Sequence, residues 1–354
     1  MRGGRGELSP WADSIHILVA GLAGCVPGHK AVGMIKPLPP ALWTLAREQS
    51  GALLGSQIAD HLGERRLLSL VREGGLNRLW YNTFVVPELS SPTVAPLFEA
   101  HGFRNAEQHR IGAGTRLAAA ALSLRRPVVA CLDTAAELHG FDVARDPDTH
   151  ILAVQDWPSH RHGLVHHRPE LLRPLQRLAG QAVTDLTETA LRIAARQPHP
   201  AKSLAVLDAA VRHTGATSAD LLLLAARMSI RGVRLMRRLV PLTDPGAASP
   251  GESWLRWVCL DAGFPTPTTQ IPVRTPVGEF WVDLGWPEQK VGCEYDGVEF
   301  HTGAALTRDR QRYNALAGAG WLMLGVTGHM VWNERPRLVE DIARFLDLRR
   351  SASA

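Results

Sequence analysis

Asp283 and Glu294 are the residues whose types and spacing point most directly to chemistry. Trp281-Val282-Asp283-Leu284 reads as a short strand, Pro287-Glu288-Gln289-Lys290 as a turn, and Val291 to Tyr295 as the returning strand of a hairpin. That arrangement sets the two acids side by side on neighbouring strands. Two carboxylates held together repel one another unless a cation lies between them. Oxygen ligands of this kind suit Mg²⁺ or Mn²⁺, and Mg²⁺ keeps several waters while taking one or two protein carboxylates. A metal so placed activates water and clamps a phosphate, which is a recipe for phosphodiester hydrolysis. Asp283 and Glu294 are therefore the candidate metal ligands. Asp296, Glu252 and His301 complete the candidate catalytic set, the histidine as an acid or as partner to a metal-bound water.

The elements that must position these groups are legible around them. Ser249 can cap a helix, Pro250 suits its first turn, and Glu252 is expected to face outward from that turn. Thr269 to Val273 reads as a first strand, with Gln270 as a polar inward group. Thr307 to Leu316 reads as a basic helix carrying Arg308, Arg310 and Arg312, which are expected to bind phosphates or to buttress the fold. Ala319 to Val326 follows as a buried strand after a glycine stop.

This order of helix, strand, hairpin, helix and strand resembles the restriction-endonuclease-like fold, the PD-(D/E)xK superfamily. More closely it resembles the very-short-patch-repair endonuclease-like proteins. The stretches that carry the likeness are Glu252-Ser253-Trp254-Leu255-Arg256, Val282-Asp283, Glu294 through His301, Arg308 through Arg312 and Gly320-Trp321, spanning roughly residues 249 to 346. The resemblance implies a metal-dependent endodeoxyribonuclease. Two positions depart from it. Asp296 stands where the superfamily usually has a lysine, and Gly325 where relatives often carry arginine. Lys290 is near, but on the turn.

A chain of 354 residues has room for two or three domains, and 45% hydrophobic content is ample for their cores. The net charge of +5 suits a polyanionic partner without demanding one. Cys25, Cys131, Cys259 and Cys293 stand singly with no CxxC pair, which argues against a zinc finger and against disulfides. No apolar run reaches membrane-spanning length. Leu22-Ala23-Gly24-Cys25 matches a lipoprotein cleavage box, but Glu7, Asp13 and His16 interrupt the pattern around it. Residues 1–39 are expected to be a poorly ordered extension, and the protein to be cytoplasmic.

Residues 40–89 read as a winged helix-turn-helix. Its third helix spans Glu64 to Glu73, with Leu67, Leu68 and Val71 directed at the core and Arg65, Arg66 and Arg72 on the other side, where they would face DNA. Leu76–Trp80 and Thr83–Val86 form the wing. Ser56-Gln57-Ile58-Ala59, Leu70 through Gly74 and the wing resemble the N-terminal domain of type IV toxin–antitoxin antitoxins, the abortive-infection antitoxin family. That likeness implies a repressor-like DNA binder with a cognate toxin as partner.

Residues 90–227 read as a mixed α/β middle domain with strands at His150–Val154 and Gly163–His167. His160, His162, His166 and His167 imitate a metal cluster, but strand alternation sends His166 and His167 to opposite faces. Residues 228–248 read as a basic helix and linker in which Arg231, Arg234 and Arg238 share a phosphate-facing stripe. The fold class expected is multidomain α/β, with residues 249–354 as a restriction-endonuclease-like domain. The function expected is metal-dependent cleavage of DNA. The alternative is a non-catalytic antitoxin or repressor that keeps a degenerate nuclease fold.

Overall fold

In the computed structural model the described residues are 38–90, 111–141, 146, 148–152, 161–168, 170–296 and 304–353, the side chains of 304–309 and 352–353 excepted. The N-terminal extension with its Leu22–Cys25 box, His160 and His301 lie outside them.

The first region runs α1 (Pro40–Glu48), β1 (Ala52–Leu54), α2 (Gly55–Leu62), α3 (Glu64–Arg72), β2 (Asn77–Trp80) and β3 (Thr83–Val85). The strands form an antiparallel sheet in the order β1-β3-β2. The three helices and the hairpin lie where the sequence puts them. Strand β1 is an addition, because three residues are too short to display a period of two. One core position is corrected. Leu68 is 63% exposed, and Leu70 is buried in its place. Leu67, Leu70 and Val71 pack with Leu42, Ile58 and Phe84, the i, i+3, i+4 set that one helix face presents.

The middle region runs α4 (Ala113–Leu124), β4 (Val129–Ala130), α5 (Leu132–Leu138), β5 (Thr149–Leu152), β6 (Leu164–His167), β7 (Gln176–Leu178), β8 (Gln181–Val183), α6 (Leu186–Arg196), α7 (Pro200–Thr214), α8 (Ser218–Ala226) and α9 (Val233–Leu239). Its five-stranded sheet has the order β6-β5-β4-β8-β7 and mixes parallel and antiparallel pairs. The β7–β8 hairpin turns on Ala179 and Gly180, both at positive φ, as a two-residue turn of that hand requires. Pro200 starts α7 rather than breaking the chain: it occupies the first turn, where its missing N–H costs nothing, and the His199 side chain accepts from Ala201 N. Thr217, not Ser218, caps α8. Helix α9 begins only at Val233, so Arg231 precedes it and does not share its stripe.

The last region runs α10 (Pro250–Asp261), β9 (Thr268–Thr275), β10 (Gly278–Trp286), β11 (Val291–Asp296), α11 (Ala304–Gly318), β12 (Leu322–Thr327), α12 (Gly328–Asn333) and α13 (Arg335–Ser353). The sheet order is β12-β11-β10-β9, with β9, β10 and β11 antiparallel and β12 parallel to β11. One side of the sheet carries Leu284, Trp286, Val291, Cys293 and Val326 against α10 and α13. Ile271, Val273, Val282 and Trp321 cluster separately with Leu316 of α11.

From Leu38 onward the chain is one compact unit of mixed α/β structure. Ala52, Trp80 and Val85 of the first region share a core with α4 and the middle sheet, and Trp80 Nε1 donates to the His162 carbonyl at 2.9 Å. Helix α10 packs along α7, which ties the last region to the middle one. No described helix is long and apolar enough to cross a membrane. Cys131, Cys259 and Cys293 are buried free thiols.

Candidate active site

The two predicted metal ligands meet across the β10–β11 hairpin. Leu284 pairs with Cys293, and the same register carried one step further sets Asp283 against Glu294. Asp283 Oδ2 accepts the Tyr295 backbone N–H at 2.9 Å, so the side chain takes over where the strand pairing stops at Leu284 and Cys293. Strand β10 changes sides here. Val282 belongs to the cluster with Leu316 and Trp321, whereas Leu284 belongs to that with Leu255 and Val258. In a regular strand residues i and i+2, such as Val282 and Leu284, would share a face. Across β9 the same step falls at Gln270, which has φ +47° between the Ile271–Val282 and Thr269–Leu284 pairs. A non-glycine residue in that region is strained and needs support from its surroundings.

Gln270 finds that support in Glu252. Its Nε2 donates to Glu252 Oε2 at 3.1 Å, and the Ala248 N–H donates to the same oxygen at 2.9 Å. Ser249 caps α10 as expected, with Oγ accepting from Glu252 N at 3.2 Å. The expectation that Glu252 faces outward is corrected: it is only 8% exposed. Gly251 is the reason α10 can sit so close. A Cβ there would lie 2.1 Å from Tyr295 Cε1, so any other residue would push the helix off β11.

The carboxylates feel one another. Burial pushes Glu294 up to about 7, with Arg312 opposing and the charges of Asp283 and Asp296 adding to the rise. Burial raises Asp283 as well, against the Tyr295 hydrogen bond and Arg312, with Asp296 adding to it. Glu252 is raised first by burial and next by Asp283. The four acids thus form one electrostatic group, in which Arg312 is the cation that opposes the rise of Asp283 and Glu294. Its ligating atoms are oxygen only, and the buried Glu294 Oε1 accepts no hydrogen bond, its near neighbour being the Arg312 Nη2 of the ion pair at 2.7 Å. This fits a cation of the Mg²⁺ type held by one or two carboxylates and water. Among the described residues no group of three or more His, Cys, Asp or Glu side chains is placed to hold a metal ion.

Arg312 reaches into this group. Its Nη1 donates to Glu294 Oε2 at 2.8 Å, its Nη2 stands 2.7 Å from Oε1, and Nη2 also donates to the Trp281 carbonyl. Of the two roles expected for Arg312, contact to phosphate and buttress of the fold, these bonds are of the second kind: the guanidinium is on Glu294 and β10. Tyr313, which the sequence did not single out, hydrogen-bonds Glu294 through its hydroxyl. A Cβ at Gly325 would come within 2.9 Å of Asp296 Oδ2 and 3.3 Å of the Tyr313 hydroxyl, so the glycine leaves room for both. Lys290 is held away on its turn, with Nζ donating to the Ala319 carbonyl at 3.1 Å. Arg310 is exposed on α11, and the Arg308 side chain lies outside the described residues.

The other candidate contacts are spread over two faces. Arg65 and Arg72 are exposed on α3. Arg66 is instead tied along its own helix, with Nη1 3.1 Å from both carboxylate oxygens of Glu73. Arg231, Arg234 and Arg238 are exposed at and before α9, which packs on α6, α7 and α8.

The sequence reading missed a second cluster of titratable groups, in the middle sheet. His150, 1% exposed, and His167 stack with centroids 5.1 Å apart, one ring nitrogen donating to the other across 2.8 Å between His150 Nδ1 and His167 Nε2. Asp146 Oδ2 lies 3.4 Å from His150 Nε2, and Asp146 N donates to the buried Asp133. The expected run of His160, His162, His166 and His167 drew attention to the wrong partners. The signal that could have found the right one is the parallel pairing of β5 with β6, which sets His150 two pairs from His167 on the same face.

No family model matches the chain. Over 287 residues it is 34% identical to two proteins of Mycobacterium tuberculosis, "Uncharacterized protein MT2308" of strain CDC 1551 / Oshkosh and "Uncharacterized protein Rv2248" of strain H37Rv. The matched stretch covers 80% of this chain and 96% of each relative.

Proposed function

The chain belongs to the family of these two mycobacterial proteins, and we propose that it is a DNA-binding protein whose last region hydrolyses DNA phosphodiesters with Mg²⁺ or Mn²⁺. The observation that carries this reading is the register that brings Asp283 against Glu294, with Glu252 and Asp296 electrostatically coupled to them. Asp283 and Glu294 would hold the ion, which would supply an activated water and neutralise the phosphate. Glu252 holds Gln270 and the start of α10 in place. The order α10, β9, β10, β11, α11, β12 supports the restriction-endonuclease-like reading. The order α1, β1, α2, α3, β2, β3 with sheet order β1-β3-β2 supports a winged helix, whose α3 would enter the major groove with Arg65 and Arg72 outward. A cytoplasmic setting is part of the same proposal.

One observation favours a second reading, a non-catalytic repressor or antitoxin with a toxin as partner. Glu294 already has a cation in Arg312, and Asp296 occupies the place of the usual lysine. A plasmid-nicking assay with Mg²⁺, Mn²⁺ or EDTA separates the two. The nuclease reading expects metal-dependent nicking by the wild type and none by Asp283→Asn. Equal behaviour of both proteins in all three conditions favours the repressor.

A further inference from the structure

Arg312 touches both oxygens of the buried Glu294 carboxylate, at 2.8 and 2.7 Å, while also donating to the β10 carbonyl of Trp281. It bridges the two strands at the level where Asp283 faces Glu294. A guanidinium in that position takes the oxygen lone pairs that a divalent ion needs, and it repels any dication brought to the same carboxylate. The two partners are not equally free to move. The Arg312 side chain is 30% exposed and the Glu294 side chain 4%. If one of them yields, it is the arginine, by swinging toward solvent on its flexible stem.

We propose that Arg312 is a resident counter-ion that competes with the divalent cation for Glu294. The guanidinium holds the acidic group together in the free protein. It leaves Glu294 when a phosphate oxygen offers an alternative anion, and the metal then takes the vacated carboxylate. Metal and DNA therefore bind with positive coupling, because each removes an obstacle to the other. Arg312 acts here as a positioning residue. The proposal rests on the metal-dependent reading of the site and adds the order in which the site assembles.

The test is Mn²⁺ binding to the full chain, followed by calorimetry and by the electron paramagnetic resonance of free Mn²⁺, with no turnover involved. Arg312→Gln is expected to bind Mn²⁺ about tenfold more tightly than the wild type, in the range typical of coupled sites. Glu294→Gln is expected to lose that binding. A short duplex oligonucleotide carrying a non-hydrolysable phosphorothioate is expected to tighten Mn²⁺ on the wild type but not on Arg312→Gln. Arg312→Lys, which keeps a charge but loses the two-pronged grip, is expected to fall between and guards against a variant that fails to fold. Equal Mn²⁺ affinity for wild type and Arg312→Gln, or weaker affinity in the variant, overturns the competition while leaving a metal site standing. No Mn²⁺ binding by any of the proteins overturns both the competition and the metal-dependent reading.

Discussion

Arg256 of α10 and Asp208 of α7, 48 residues apart, form a buried ion pair in which one Nη2 lies 2.7 and 2.8 Å from the two carboxylate oxygens. Their side chains are 2% and 0% exposed. The Asp244 N–H donates to Asp208 at 2.9 Å and Arg256 donates to the Leu242 carbonyl at 2.7 Å. This is the joint through which the helix carrying Glu252 is fixed to the middle region. Burial works against the pair by raising Asp208, and Arg256 opposes that rise.

The first prediction follows from that joint. Asp208→Ala leaves a guanidinium buried without its counter-ion, and removing one partner of such a pair costs about 3–5 kcal/mol. Urea unfolding should report a loss of that size, and Asp208→Leu combined with Arg256→Met should recover much of it. Single variants within ~1 kcal/mol of the wild type would show that the pair contributes nothing beyond its neighbours.

Glu294 makes the unfolding free energy of the metal-free protein fall with rising pH. Its folded pKa, raised to about 7, exceeds the ordinary 4.5. The folded state therefore holds more protons than the unfolded state between those values. The contribution is fully present below 4.5 and is lost as pH rises through 7. Melts in EDTA from pH 4.5 to 8 should show Glu294→Gln gaining on the wild type as pH rises. A constant difference across that range would mean that Glu294 does not titrate there.

The His150–His167 pair acts in the opposite sense. One nitrogen must donate and the other accept, so the contact is lost once both rings are protonated. Burial first, then the charges of His150 and Arg196, depress His167 from 6.5 to about 4, while Asp146 opposes them. A depressed histidine contributes stability that is present above 6.5 and lost as pH falls through 4. His167→Gln should flatten the stability profile between those values. An unchanged acid limb in that variant would rule the pair out as its source.

What the sequence discloses of this site depends on how local the cause is. The meeting of Asp283 with Glu294 is readable because a hairpin with a short turn sets its own register. The Ser249 cap is readable for the same reason, since it is satisfied three residues away at Glu252. The burial of Glu252 is not readable, because it results from α10 being pressed onto β11 at Gly251 and onto α7 at Arg256. The change of side at Asp283 breaks the period of two, so no alternation pattern announces it. Leu68 and Leu70 of α3 are equally apolar, and only the packing of Leu42 and Ile58 selects between them.

The last prediction concerns the first region. Arg65 and Arg72 are exposed on α3, whereas Arg66 is occupied by Glu73 at 3.1 Å. If α3 enters the major groove, the two exposed arginines contact DNA and Arg66 serves its own helix. Each phosphate contact adds about 0.9 to the slope of log affinity against log salt. Arg65→Gln with Arg72→Gln should then weaken binding of duplex DNA by the full chain and reduce that slope by about 2. Arg66→Gln alone should leave the slope nearly unchanged and cost the helix little, because its partner is a surface carboxylate. The comparison separates groove contact from a general charge effect, since Arg66 removes the same charge from the same helix. If all three substitutions lower the slope equally, affinity reflects net charge alone and α3 is not the reading element. If none lowers it, DNA binds elsewhere, with the exposed Arg231, Arg234 and Arg238 as the next surface to neutralise.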